Sequence, residues 1–208
     1  MPFVKRDATA LPGSDRTTGM DATSAVANLS SPDAEIRWSA ARALGAHREM
    51  VAALAAALGV ERIARVREAI MTALMRIGDE ASVKAMLPYL RSQDAGLRAT
   101  AIEALQALPD AISPFLEQLL ADADSDVRIL ATELARNMSA ADATHALSRL
   151  LEQEQHPNVC GAAIEVLAEV GTRDAIPALQ SCAKRFSKIP FLSFAASTAI
   201  ARVSNAEG

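Results

Sequence analysis

The sequence predicts an all-α, right-handed solenoid of about five stacked helix hairpins, closed by a half unit at each end. Three observations predict it. The apolar residues Ile36, Val66, Leu97, Val127, Val159 and Leu192 recur at steps of 30, 31, 30, 32 and 33 residues. Small or aliphatic residues then return at helical spacing within each unit, as in Ala40, Ala41 and Leu44 or Ala101, Ile102 and Leu105. That spacing lays one apolar stripe along a helix. Composition agrees: 50% of the 208 residues are hydrophobic but only 3% aromatic, and alanine and leucine outweigh β-branched runs. A hairpin that buries one stripe is unstable alone, so neighbours must stack into a continuous core.

The elements follow in order. Residues 1–20 mix Pro, Gly, Ser, Asp and Thr without periodicity and read as a flexible arm; residues 204–208 read as a disordered tail. Residues 21–30, DATSAVANLS, read as a leading helix, and the array proper occupies residues 21–203. Each unit's first helix begins around an apolar-Arg pair: Ile36-Arg37, Val66-Arg67, Leu97-Arg98 and Val127-Arg128. Val159-Cys160 and Leu192-Ser193 continue the series without the arginine. Asp33, Asp94 and Asp124 stand three residues before these pairs, where a carboxylate caps a helix start for roughly 1 kcal/mol. Second helices start around Val51, Val83, Ile112 and Ile176. Gly45, Gly78 and Gly171 are expected to turn left-handed between the two helices, and Pro109 to separate them in the third unit. Pro88, late in a second helix, is expected to kink it. Residues 190–203 close the array.

DAGLRATAIEALQAL and DSDVRILATELA resemble HEAT repeats of the short kind named after phycobilisome lyases, whose pattern is Asp-x-x-Val-Arg-x-x-Ala-x-x-Ala-Leu. TRDAIPAL, residues 172–179, resembles the start of that repeat's second helix. The resemblance implies a polar ladder along the stacked units, built from Asp33, Arg37, Arg67, Asp94, Arg98, Asp124 and Arg128. It also implies a concave face lined by the second helices. The second unit departs from the pattern, with Ile63 in place of the aspartate. In the fifth, His156 and Cys160 replace aspartate and arginine. That interruption predicts weaker coupling of residues 156–203 to the rest.

Chemistry is scarce in this sequence. Net charge is −4, from 21 basic and 25 acidic residues, which offers no electrostatic footprint for nucleic acid or an anionic membrane. Trp38 and Tyr89 are the single residues of their kinds, so little is available for base stacking. KRFSK, residues 184–188, reads as a solvated helix end. The longest apolar run, MVAALAAALGV at residues 50–60, is about half the ~20 residues of a membrane span. No secretory signal pattern opens the chain, and two cysteines are too few for a disulfide framework, so a cytoplasmic setting is expected. Phosphate-loop, nucleophile-elbow, HExxH and dinucleotide-binding patterns are all missing, as are the paired His-Glu dipeptides of diiron hydroxylases built on HEAT repeats. No catalytic residue, cofactor or metal is expected. Spacing about the fifth hairpin's turn brings Cys160 and Cys182 within reach of each other, with His156 one helical turn away. A Cys-Cys-His metal site is conceivable on that basis, but it lacks a fourth ligand and CxxC spacing; packing in the core is the preferred reading.

The concave face carries the functional expectation. In register, the second helices present Ala52, Lys84, Ser113, His145 and Pro177 on one stripe, and Ala56, Pro88, Glu117, Arg149 and Ser181 one turn on. The expected function is a non-enzymatic adaptor or regulatory scaffold that binds a protein or peptide rather than nucleic acid or membrane; the sequence does not supply its oligomeric state, and a monomer is favoured. Its contact residues would be Lys84, Pro88, Tyr89, Ser113, Glu117, His145, Arg149 and Ser181. The alternative, through the resemblance, is an accessory subunit of a lyase-like or other modifying complex; nucleic-acid binding ranks third.

Overall fold

The computed structural model describes residues 21–205. The arm expected at residues 1–20 and the last residues of the expected tail, 206–208, lie outside the described residues. Among the described residues there are twelve α-helices and no strand. The leading helix is α1 (Ala22–Asn28). The first helices of the five hairpins are α2 (Ala34–Leu44), α4 (Ala64–Ile77), α6 (Ala95–Gln106), α8 (Ser125–Ala135) and α10 (Pro157–Val170). Their partners are α3 (Val51–Val60), α5 (Glu80–Met86), α7 (Pro109–Leu120), α9 (Ala140–Gln153) and α11 (Ile176–Arg185). The closing helix, α12 (Pro190–Asn205), runs two residues past the expected boundary at 203. Among the described residues no helix is long and apolar enough to cross a membrane.

First helices pack on first helices along one layer (α2 on α4, α8 on α10, α10 on α12), and second helices on second helices along the other (α3 on α5, α9 on α11). One core runs between the layers: Leu44, Leu54, Leu74, Leu105, Leu134 and Leu147 are fully buried. Each such leucine contributes roughly 1.5–3 kcal/mol by leaving water. The final hairpin is no looser. Val159, Cys160, Ala163, Val166, Leu167, Leu179 and Cys182 are all at 0% exposure, so the weaker coupling expected there has no counterpart in the packing.

Local signals mostly acted as chemistry dictates. Asp33 accepts the Glu35 N–H, Asp94 those of Gly96 and Leu97, and Asp124 that of Asp126. Asp21, Asp79 and Ser139 cap α1, α5 and α9 in the same way. The glycine expectation is corrected at two of three positions. Gly78 alone has positive φ, at 63°. Gly45 is right-handed, and its role is close approach: a Cβ there would stand 3.2 Å from the Ala73 backbone of α4. Gly171 is extended, and a Cβ would clash with the Leu167 carbonyl. Pro88 does not kink an α-helix; α5 ends at Met86 and the chain tightens into a 3-10 turn over Leu87–Arg91. A prolyl nitrogen has no hydrogen for an α-type bond, and the tighter turn tolerates that at its start.

The ladder exists, but with partners the sequence pattern did not name. Two residues before each first-helix cap stands a polar acceptor: Ser31, Glu61, Ser92, Asp122 and Glu154. Each accepts the N–H of its cap residue, at 2.7 to 3.2 Å. In three units the carbonyl of this residue accepts the arginine six residues on: Arg37 from Ser31 (2.9 Å), Arg98 from Ser92 (2.5 Å) and Arg128 from Asp122 (2.7 Å). The same arginines reach forward to the next unit where a carboxylate is free. Arg37 grips Glu61 with two bonds of 2.7 and 3.1 Å, and Arg128 grips Glu154 with bonds of 2.7 and 3.2 Å. Arg67 takes Asp94 at 2.7 Å. Arg98 makes no ion pair among the described residues, because the next acceptor, Asp122, is held by Arg91. The glutamates therefore stand where the aspartate cap is missing, at Ile63 and His156, and carry the ladder through both departures. Cys160 keeps the remaining half of the device, its thiol donating to the Glu154 carbonyl at 3.6 Å.

Candidate binding groove on the inner layer

We call the second-helix layer inner and the first-helix layer outer, and two observations define the inner surface. The register read from the sequence places Ala52, Lys84, Ser113, His145 and Pro177 in solvent, and Ala56, Pro88, Glu117, Arg149 and Ser181 as well. Tyr89 is half-buried, and burial pushes its phenol upward.

Between α7 and α9 this surface opens into a groove of about 610 Å³. Leu116, Leu120, Met138 and Leu150 supply its apolar lining, while Asp142, His145 and Gln153 stand on its polar rim. An ion pair from Arg149 to Glu117, 2.8 Å long, joins α9 to α7 across it. Both side chains are more than half exposed, at 57% and 78%. A pair so solvated is worth at most about 1 kcal/mol and exchanges readily for another partner. The groove is also lined by the Arg128–Glu154 pair, whose side chains are only 16% and 6% exposed. Burial pushes the Glu154 carboxyl up, but the Arg128 guanidinium and the His156 and Gln155 N–H groups outweigh it and hold it below the usual range. The groove thus carries one buried ion pair and one solvated ion pair.

Of the eight expected contact residues, Ser113, Glu117, His145 and Arg149 come together here. Lys84, Pro88, Tyr89 and Ser181 stand elsewhere on the same layer. Lys84 is engaged by its neighbours, Glu80 at 2.5 Å and the Phe115 ring at 5.8 Å. Sequence reasoning missed the groove's floor and its Arg128–Glu154 wall. The polar column at Ser31, Glu61, Ser92, Asp122 and Glu154 was the signal available for the wall. A second depression of about 710 Å³ lies against the uncharged α3, lined by Val26, Leu29, Ala53, Ala57 and Val60. It offers no polar group beyond the loop preceding α4 and the ends of α1 and α2.

The cysteines meet as the spacing allowed. Cys160 and Cys182 are free and fully buried, and they neighbour each other beside Arg185. The neighbouring Cys160 thiol, with the Arg185 charge assisting, draws the Cys182 thiol down against burial. The neighbouring Cys182, together with burial, pushes the Cys160 thiol up. Arg185 is anchored on the Leu151 and Glu152 carbonyls at the end of α9, so it arrives from α11 where α10 has no arginine. His156 does not complete a ligand set, and no group of three His, Cys, Asp or Glu among the described residues is arranged around a metal position.

Comparison with known proteins agrees with this architecture. The sequence profile described as HEAT repeats matches residues 23–106 and 112–188. The chain is 33% identical over 149 residues to the bilin biosynthesis protein PecE of Mastigocladus laminosus, a match that covers 69% of this chain and 55% of that protein. It thus spans about half the length of that curated relative. Among solved structures, the archaeal HEAT-like repeats protein from Thermococcus onnurineus NA1 superposes with a TM-score of 0.51 at 16% identity, over 88% of this chain and 87% of that one. The complex of CpcE and CpcF of phycocyanin lyase from Nostoc sp. PCC7120 gives 0.44 at 18% identity, over 95% and 100%. At these identities the structural likeness is one of fold.

Proposed function

Because the chain belongs to the HEAT-repeat family, with repeats of the short phycobilisome-lyase type, we propose that it is a non-enzymatic scaffold that holds a partner polypeptide along its inner layer. One observation carries this reading: the groove between α7 and α9 joins an apolar floor to a polar rim and holds one buried and one solvated ion pair. Apolar side chains of a partner would fill the space over Leu116, Leu120 and Leu150. Its charged groups would take over from the Arg149–Glu117 pair, which costs little to open. A preformed solenoid surface loses little freedom on binding, so many modest contacts suffice for useful affinity.

The test is site-specific photo-crosslinking in the native cell. A crosslinker at His145 is expected to trap a polypeptide that one at Glu68, on the outer layer, does not. The double variant Lys84→Glu with Arg149→Glu is expected to reduce that product about tenfold while leaving the helical circular dichroism unchanged. Equal trapping from both positions, or indifference to the double variant, would remove the inner layer from the reading.

A second reading rests on the sequence identity to a bilin biosynthesis protein: an accessory subunit of a complex that handles open-chain tetrapyrroles. A groove with an apolar floor and the guanidinium of Arg149 at its mouth suits a flat apolar molecule that bears carboxylates. Titration with a free bilin separates the two. A saturable change in the visible spectrum, lost in Arg149→Glu, favours the tetrapyrrole; a flat spectrum favours the polypeptide.

A further inference from the structure

Phe191 and Phe194 are 55% and 75% exposed, two of five large hydrophobic side chains left in solvent among the described residues. Both lie on α12, one turn apart, and both line a shallow groove of about 510 Å³ between α10 and α12 on the outer layer. The floor of that groove is made of small residues, Gly161, Ala162, Ala168 and Ala195. Two other outer seams are bridged by ion pairs: Arg65 to Glu35 joins α4 to α2, and Arg136 to Glu169 joins α8 to α10. The α10–α12 seam has one carboxylate, Glu165, and one guanidinium, Arg202. Both are exposed, and neither forms an ion pair among the described residues.

We propose that this face binds a second copy of the chain about a two-fold axis. A two-fold interface must complement itself, so one patch has to hold both members of every polar contact. This patch does: an unpaired acid on α10, an unpaired base on α12, and an aromatic centre with a floor of small residues able to receive another copy's rings. With both signs on one patch, the acid of each copy can meet the base of the other across the axis. The apolar centre explains why two phenylalanines persist in water, since aromatic residues are enriched in the desolvated core of interfaces. The face lies on the layer opposite the α7–α9 groove, so association leaves both grooves of a dimer open.

Sedimentation equilibrium of the purified chain tests this, read together with charge exchange. The wild type is expected at twice the 21.9 kDa chain mass in the micromolar range. Glu165→Arg and Arg202→Glu are each expected to weaken association by about tenfold, and the double reversal to restore it, because the exchanged pair is again complementary. Phe194→Asp is expected to give monomer with unchanged helical circular dichroism, since its ring is mostly in solvent in the single chain. A wild type that stays monomeric at about 100 μM overturns the proposal, that being too weak for a specific interface. So does a dimer untouched by Phe194→Asp, a double reversal that fails to rescue, or a monomer that uses this face for a different polypeptide.

Discussion

Glu61 is the residue on which the second unit turns. Its side chain is 6% exposed, accepts two bonds from Arg37 and the N–H groups of Arg62 and Ile63, and so takes the arginine as Asp94 does in the next unit. Removing one partner of a buried pair leaves the other charge uncompensated, a cost of about 3 kcal/mol. Glu61→Ala is therefore expected to lower the unfolding free energy by about that amount, and Arg98→Ala, which loses a single bond to the Ser92 carbonyl, by about 1 kcal/mol. Urea titration of both variants checks the contrast. A pH dependence follows with a definite sign. The Arg37 hydrogen bond holds the Glu61 carboxyl at about 2, below its ordinary 4.5. A depressed carboxyl stabilises the fold above its unfolded value, and that stability is lost as pH falls from 4.5 toward 2. Glu61→Gln is expected to lose less stability than the wild type between pH 5 and pH 2, measured as the shift in urea midpoint.

At the scale of the helix, most features were legible because they are local. The apolar stripes of α2 through α11 follow from spacing, and the caps at Asp33, Asp94 and Asp124 follow from residue type and position. The misreadings at Gly45 and Gly171 have one cause. Glycine answers to two needs, a positive φ and a close neighbour, and only the packed structure shows which applies. At Gly45 the neighbour is α4, which belongs to the next unit. The start of α4 gives a prediction of its own. Its cap residue, Ile63, makes no side-chain cap bond and is 48% exposed. Ile63→Ser supplies an acceptor for the free N–H groups of the first turn and is expected to stabilise the protein by about 0.5–1 kcal/mol, seen as a rise in Tm. An unchanged or lower Tm would show that α4 gains nothing from a cap beyond what Glu61 provides.

Across the whole molecule, the fifth unit is where expectation and structure part most usefully. Loss of the aspartate and arginine at His156 and Cys160 pointed to a loosened end. Instead Glu154 receives Arg128, Cys160 keeps the carbonyl contact, and Arg185 crosses from α11 to hold the end of α9. Amide exchange should accordingly show α10 and α11 as slow as α6 and α8. Faster exchange confined to residues 157–185 would mean that these substitutes do not replace the ladder energetically. The sequence by itself determined the repeat length, the helix pairs, the caps and the identity of the solvent-facing inner stripe. Each of these depends on contacts within one hairpin, and a period of 30 to 33 residues records them directly. Tertiary structure alone decided which inner residues share a groove, which carboxylate each arginine takes, and which seam of the outer layer stays open. Those outcomes depend on distances between successive units, between residues some 24 to 27 positions apart for the arginine rungs, and no periodicity along the chain encodes how closely two hairpins stack.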